Sequence, residues 1–262
     1  MFRGYTVELG DLYTDLDLSD CIDVGRKLHE DYKEQVQQRL HSFQDEDGNL
    51  IASQIIANWF PPVKANIFLS HSHKDEDAVL AFSGLLWKNF RLTSFIDSCI
   101  WGYSDDLLRE IDNEYCYHSS RNTYSYDKRN RSTSHVHMML SIAITKMIHN
   151  SECIMFVDTP NSISTEEYIK GRGMTDSPWI YSEISMTSLV QKRPPSEHRG
   201  RFVKAGRAQD SLTESFQIKY DVDTKHLAPL TSTMFASWQG CKKKGVDALD
   251  ALYNLEDEDH EY

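Results

Sequence analysis

The residue of this sequence best placed to do chemistry is Glu183, in a helix predicted to open at Ser177. Ser177, or Asp176, is a good N-cap, and Pro178 fits the first helical position, where a missing backbone N–H costs nothing. Glu183 follows Trp179 by one helical turn, so the carboxylate and the indole share one face of the helix. A charged residue at the edge of an apolar stripe usually reaches water or a basic partner. The elements around this helix must decide between that structural role and a catalytic one.

The segments before this helix alternate short apolar runs with amphipathic helices. Helices are expected at about 75–90 and 138–149, and the helix of Glu183 is the next crossover. Strands that alternate with helices predict an α/β fold with a doubly wound parallel sheet. The expected strands are 65–70, 92–97 and 152–157, with a short fourth strand at 202–203 and an edge strand at 216–220.

Polar loops follow the three main predicted strands, at 70–75, 97–102 and 158–161. Ligands of a doubly wound sheet bind outside the carboxyl ends of its strands, so these loops are expected to converge on one edge. The first loop places hydroxyls, two imidazoles and Lys74 where a helix begins, which suits a phosphate, although a capped loop without a ligand explains it equally well. The glycines of a Walker loop or a dinucleotide fingerprint are missing.

Other kinds of site have weaker support. The pairs His71/His73 and His135/His137 could bind a metal together, but no cluster of carboxylates or cysteines completes the set, so we predict no metal site. No Gly-x-Ser-x-Gly elbow supports a serine hydrolase. The insertion 112–134 interleaves tyrosines with basic residues, a pattern found in nucleic-acid contacts and in protein interfaces. In an acidic chain we favour an interface or a substrate lid.

The composition is that of an ordinary soluble chain. Its 262 residues are 40% hydrophobic and carry a formal net charge of -12, which makes nucleic-acid binding unlikely as the main function. No apolar run has membrane-spanning length and the first residues lack the apolar core of a secretory signal, so we expect a cytoplasmic protein without membrane contact. The five cysteines form no close-spaced pair and are predicted to be reduced structural thiols.

The chain is expected to have three parts. One amphipathic helix begins near Asp20, and a shorter apolar helix is stopped by Pro61 and Pro62. This N-terminal part could mediate oligomerisation, or it could simply cover the sheet. The predicted parts are a helical extension at 1–62, an α/β domain at 63–228, and C-terminal helices with an acidic tail at 229–262.

Three motifs in register resemble those of Toll/interleukin-1 receptor (TIR) domains. The run 66–75 resembles the opening strand and loop of the family, and 95–97 with the polar loop after it resembles the second strand and the BB loop. The segment 177–183 resembles the helix that carries the Trp-x-x-x-Glu motif of enzymatic members. The agreement of order and spacing covers roughly residues 64–228.

The resemblance implies a flavodoxin-like domain that cleaves NAD, as a substrate rather than a cofactor, at the nicotinamide–ribose bond. In bacterial members this reaction often serves antiphage defence of the Thoeris type, through NAD depletion or an ADP-ribose signal. It further implies a homo-oligomer joined by TIR contacts and a downstream effector that senses the product. By position Glu183 would be the catalytic carboxylate. The residues that would line the nucleotide cleft are Ser70, His71, Ser72, Lys74, Asp97, Trp101 and Trp179.

The resemblance leaves the product and two rival functions open. Water, the same NAD molecule or another nucleophile could accept the ribosyl group, and the insertion 112–134 and the long approach 158–176 both depart from the family pattern beside the expected cleft. One rival is a non-enzymatic TIR adaptor that docks through the BB-like loop. The other is a nucleoside hydrolase or transferase on a similar sheet. The carboxylate of Glu183 favours an enzyme over an adaptor.

Overall fold

The computed structural model describes residues 1–12, 19–33, 43–46, 49–101, 104–163, 174–175, 177–199, 220–221 and 223–259. Its centre is a sheet of five strands in which all neighbouring strands are parallel. The predicted α/β fold with a parallel sheet is therefore confirmed. The described strands are β1 (Arg3–Glu8), β2 (Ile67–Ser70), β3 (Ser94–Phe95), β4 (Tyr117–His118), β5 (Thr123–Tyr124), β6 (Cys153–Asp158), β7 (Met174–Thr175), β8 (Tyr220–Asp221) and β9 (Ala228–Pro229).

The order of strands across the main sheet is β3-β2-β6-β1-β9. The pairs β4/β5 and β7/β8 are separate antiparallel ladders. The described helices are α1 (Leu9–Leu12), α2 (Ser19–Lys33), α3 (Ala52–Trp59), α4 (Glu76–Phe90), α5 (Asp97–Trp101), α6 (Ser104–Ile111), α7 (Tyr126–Asn150), α8 (Pro178–Leu189), α9 (Pro195–His198), α10 (Ser232–Gly240) and α11 (Val246–Asp259), with a 3-10 turn at His73–Asp75 and a π-helical turn at Asp112–Cys116.

The N-terminal strand β1 corrects the prediction of a mainly helical extension. It pairs in parallel with β6 along its whole length, from Arg3 opposite Cys153 to Glu8 opposite Asp158. Its pattern is short and carries an arginine and a glycine, so its strand character depends on partners far away in the sequence. The expected helix nonetheless begins in this region as α2, and the boundary near residue 62 stays a prediction.

Strands β2, β3 and β6 lie where apolar runs predicted them. The other two predicted strands are not confirmed as parts of the main sheet. Positions 202–203 and 216–219 fall outside the described residues, and 220–221 forms β8 against β7 rather than an edge of the main sheet. Helix α7 is longer than predicted because it begins at Tyr126, inside the insertion. The remainder of that insertion is the π-helical turn and the β4/β5 hairpin.

Alternating side chains of the central strands pack against helices on opposite faces of the sheet. On β6, Cys153, Met155 and Val157 join a core built with α2, α4, α10 and α11, while Ile154 joins a second core built with α3, α6 and α7. The next outward residue on that side, Phe156, packs against Ile180 and Ile184 of α8. This double coverage explains why the strand is a nearly continuous apolar run rather than an alternating one.

Close helix contact on the first face depends on two glycines. A Cβ atom placed on Gly84 of α4 would overlap the carbonyl oxygen of Cys21, and one placed on Gly25 of α2 would overlap that of Leu80. The two helices therefore meet backbone to backbone. By contrast, a Cβ atom placed on Gly240 at the end of α10 would meet nothing within 4 Å.

Trp238 packs the C-terminal helices against the face of the sheet that α2 and α4 cover. Its ring stacks on Phe90 at a centroid distance of 3.8 Å, and its indole N–H donates to the carbonyl oxygen of Ala248 at 2.7 Å. The side chain is fully buried, so both contacts contribute without competition from water.

The cysteines are free thiols, four of them buried and Cys241 exposed. Within the described ranges, no helix has the length and apolar character needed to cross a membrane.

Candidate active site

The carboxyl edge of the sheet brings together residues from β2, β3 and α8. Phe68 of β2 pairs with Phe95 of β3, so Ser70 and Asp97, each two residues further on, emerge near the same level. Ser70 ends its strand, and Asp97 begins the short helix α5. Glu183 reaches this level from α8. The sheet register therefore places two of the predicted loops and the predicted catalytic helix at one point.

Local sequence chemistry fixes the start of α8. The Ser177 hydroxyl accepts a hydrogen bond from the backbone N–H of Ile180 at 3.3 Å, and Pro178 occupies the first turn, as predicted. The backbone N–H of Ser177 donates in turn to the hydroxyl of Thr175 at 3.1 Å, which ties the cap to β7. These bonds satisfy helix-end donors and set where Glu183 points.

Glu183 is a buried acid held by a hydroxyl. Its side chain lies in the interior, with 2% of the residue exposed, and the Ser70 hydroxyl donates to Oε2 at 2.5 Å. Burial raises the pKa of Glu183 well above its ordinary value, and the negative charge of Asp97 raises it further, while the bond from Ser70 acts in the opposite direction. The resting carboxyl is therefore held towards its protonated form.

The pKa of Asp97 is shifted in the opposite direction to that of Glu183. Burial by itself would raise the pKa of Asp97, but the neighbouring His73 and His71 imidazoles outweigh it and the pKa is lowered. His73 Nε2 lies 3.6 Å from Oδ2, and His71 Nδ1 lies 3.8 Å from Oδ1. These are ion-pair distances rather than short hydrogen bonds. The pKa values of the two carboxyl groups of the site are thus shifted in opposite directions.

The two histidines differ in exposure and in their response to Asp97. His71 is buried, with Nε2 3.1 Å from the Ser98 hydroxyl, and burial lowers its pKa. The side chain of His73 is 61% exposed, and Asp97 raises its pKa. His71 is thus held towards the neutral form inside the protein, while His73 is the member of the pair that is open to solvent.

The remaining predicted cleft residues are more scattered. Ser72 caps the 3-10 turn by accepting from the backbone N–H of Lys74 at 3.4 Å, and the lysine side chain is exposed. Trp179 meets His137 of α7 edge-on, with ring centroids 5.5 Å apart, and packs against the second core. Trp101 belongs to α5, but its side chain lies outside the described residues.

The loop after β2 is also tied to the loop after β6, which the sequence did not reveal. Asp75 accepts hydrogen bonds from the Thr159 hydroxyl at 2.6 Å and from the Asn161 amide at 2.7 Å. Close by in the sheet, Asp158 is level with Glu8 of β1, and burial together with the charge of Glu8 raises the pKa of Asp158. No local motif indicates these contacts, because each needs two strands distant in sequence.

An open depression of about 560 Å³ lies against residues 73–78, beside the exposed face of His73. Within the part of the chain that the structure describes, no three His, Cys, Asp or Glu side chains form a group that could hold a metal ion. The side chains that meet at this edge carry carboxyl groups, hydroxyls and imidazoles.

Comparison of the chain with protein-family profiles, curated proteins and solved structures finds no match. The function must accordingly be argued from the site itself and from the motifs in the sequence.

Proposed function

We propose that the protein is a TIR-type enzyme that cleaves the nicotinamide–ribose bond of NAD, with Glu183 as its catalytic carboxyl group. The observation that carries this proposal is that the buried Glu183 accepts a hydrogen bond from Ser70 at the carboxyl edge of a parallel sheet. A buried acid with one hydroxyl partner is costly to the fold, and such costs are concentrated at functional sites.

The chemistry of NAD suits this pair of acids. When the C1′–N bond breaks, its electron pair stays with nicotinamide, which leaves as a neutral ring and needs no proton from the enzyme. Positive charge then develops on the ribose, as in glycoside hydrolysis, and a nearby carboxylate stabilises it most strongly where water is excluded.

The substrate itself would change the protonation of Glu183. The nicotinamide ring of NAD carries a positive charge, and an opposite charge close to a buried carboxyl favours its ionised form. Glu183 would then accept hydrogen bonds from the ribose hydroxyls. A carboxylate whose pKa has been raised by burial is also a suitable base for the proton of an attacking water or hydroxyl.

The proposal includes the flavodoxin-like TIR fold, assembly of identical copies through TIR contacts, and a role in antiphage defence in which an effector senses an ADP-ribose product. Its support is the order of the three motifs along the chain and their meeting at one sheet edge. Mass spectrometry of the nucleotide product separates hydrolysis, cyclisation and conjugation.

Release of nicotinamide from NAD, measured by liquid chromatography on concentrated and assembled protein, tests the proposal. We expect Glu183→Gln to reduce the rate at least about 100-fold, the usual scale of losing an acid or base group. Glu110→Gln, which removes a carboxylate from the exposed surface of α6, is the matched control and should retain the rate. Equal rates for wild type and Glu183→Gln would refute the assignment.

The same assay examines the two rival functions. An adaptor would release no nicotinamide under any condition of assembly, and nothing in docking requires a buried carboxyl beside an ionised one. A nucleoside hydrolase would release base from nucleosides faster than nicotinamide from NAD.

A further inference from the structure

The second acid of the site, Asp97, has surroundings that a residue merely lining a cleft does not need. It extends from the same sheet level as Ser70, the residue that holds Glu183. Two imidazoles lie within 3.8 Å of its carboxyl oxygens, one from inside the protein and one from the solvent side. Only 9% of the residue is exposed.

The contact between Asp97 and the buried His71 is too long for a hydrogen bond. His71 is nearly fully buried, and its Nδ1 atom has no hydrogen-bond partner among the described residues, although Asp97 Oδ1 lies 3.8 Å away. A buried polar atom without a partner is costly, and such atoms are found where a site is completed by something else. Nδ1 and the Asp97 carboxylate therefore face each other inside the protein without a hydrogen bond, although the Leu69 backbone also acts on the His71 ring.

We propose that Asp97 is a second catalytic carboxylate, which lies between His71 and His73 and faces the ribose cation. Its negative charge also raises the pKa of Glu183 and so favours the protonated form of that acid before the cationic substrate enters. The catalytic role rests on the proposed function. As the cationic substrate enters, the proton of Glu183 leaves to solvent, and His73 is the exposed imidazole next to Asp97. In the step itself, the C1′–N bond breaks with its electrons going to nicotinamide, and the sugar cation faces the negative charge of Asp97. The attacking water or hydroxyl then forms the new bond to C1′ and passes its proton to Glu183.

Two further acids act on the histidines beside Asp97. Glu76 at the start of α4 acts on both histidines, and Asp105 of α6 acts on His73. Both acids favour the protonated imidazole, which in turn favours ionised Asp97. Ser70 and Ser98 supply the neutral hydroxyls. Removing the charge of Asp97 is therefore expected to act on Glu183 directly.

The first test does not require activity. In protein labelled with 13C, the carboxyl signal of Glu183 is identified by its absence from Glu183→Gln, and its titration midpoint is compared between wild type and Asp97→Asn. We expect the midpoint to move to lower pH in Asp97→Asn, to return in Asp97→Glu, and to stay in place in the surface variant Asp106→Asn. An unchanged midpoint in folded Asp97→Asn would overturn the proposal.

The second test is kinetic. For NAD cleavage, Asp97→Asn should lower kcat by about 10- to 100-fold with KM changed less than about threefold, because charge stabilisation of the sugar is used in the transition state. The ionisation that limits activity at low pH should move in the same direction as the midpoint. A kcat equal to that of wild type would overturn the catalytic role of Asp97.

The failure of the proposed function gives a different result. If wild type releases no nicotinamide while the midpoint shift is present, NAD cleavage is refuted together with the catalytic role of Asp97. Only the electrostatic effect of Asp97 on the pKa of Glu183 then stands. If Asp97→Asn does not fold, Asp97→Glu carries both tests, since it keeps the charge and must keep both the midpoint and at least about a tenth of kcat. Loss of either in folded Asp97→Glu would overturn the proposal.

Discussion

Replacing Glu183 by Gln should change how the stability of this protein depends on pH. The folded state keeps a proton on Glu183 above the pH at which the unfolded chain, with an ordinary pKa of 4.5, has released it. Between these two pKa values the native state binds one proton more than the unfolded state. The stability that this group contributes is complete below about pH 4.5 and is lost as the pH rises towards the folded pKa.

The size of the effect follows from proton linkage. One extra proton in the native state lowers the free energy of unfolding by about 1.4 kcal/mol for each pH unit in that window. Glutamine has nearly the same shape, can still accept from Ser70, and does not titrate. The unfolding free energy of wild type minus that of Glu183→Gln should therefore fall by about 1.4 kcal/mol for each pH unit inside the window.

Urea unfolding followed by circular dichroism at a series of pH values measures this difference. The free energy of unfolding of the variant is expected to rise relative to that of wild type as the pH increases, although the variant has lost a catalytic group. Glu110→Gln, on the exposed surface of α6, reports the effect of removing a carboxylate outside the site. If the curves for wild type and Glu183→Gln stay parallel from about pH 5 to pH 8, the buried carboxyl is not protonated at rest and the reasoning fails.

Ser70→Ala removes the hydrogen bond that favours ionised Glu183, so the pKa of this acid should rise further and the low-pH limb of NAD cleavage should move to higher pH, with about a tenfold lower rate on that limb; an unmoved limb would contradict this. Gly84→Ala should destabilise the fold by about 2 kcal/mol or more in urea unfolding, because its Cβ meets backbone, while Gly240→Ala should change the stability by less than about 1 kcal/mol. Trp238→Phe should cost about 1–3 kcal/mol in the same measurement, since it removes a buried hydrogen bond to the carbonyl oxygen of Ala248 and part of the stacked ring. Equal stability of the two glycine variants, or of Trp238→Phe and wild type, would argue against the packing described.

Much of the fold was predictable because its signals are local. The apolar runs of β2, β3 and β6 and the amphipathic pattern of α4 indicate strands and helices whatever else the chain does. The start of α8 was predictable in detail, since Ser177 and Pro178 act through atoms only a few residues away. Glu183 became a catalytic candidate through the order of the elements around its helix and the resemblance of the motifs, because its local pattern alone is also that of a structural residue.

The sequence by itself determined the types of the main elements, their order, and the candidate acid on α8. Only the tertiary structure decided that β1 enters the sheet between β6 and β9, and that Ser70, Asp97 and Glu183 meet. The physical reason is distance along the chain. Strand pairing and buried electrostatics join residues far apart in the sequence, and no local pattern encodes in which direction the pKa of each carboxyl will move once both are removed from water.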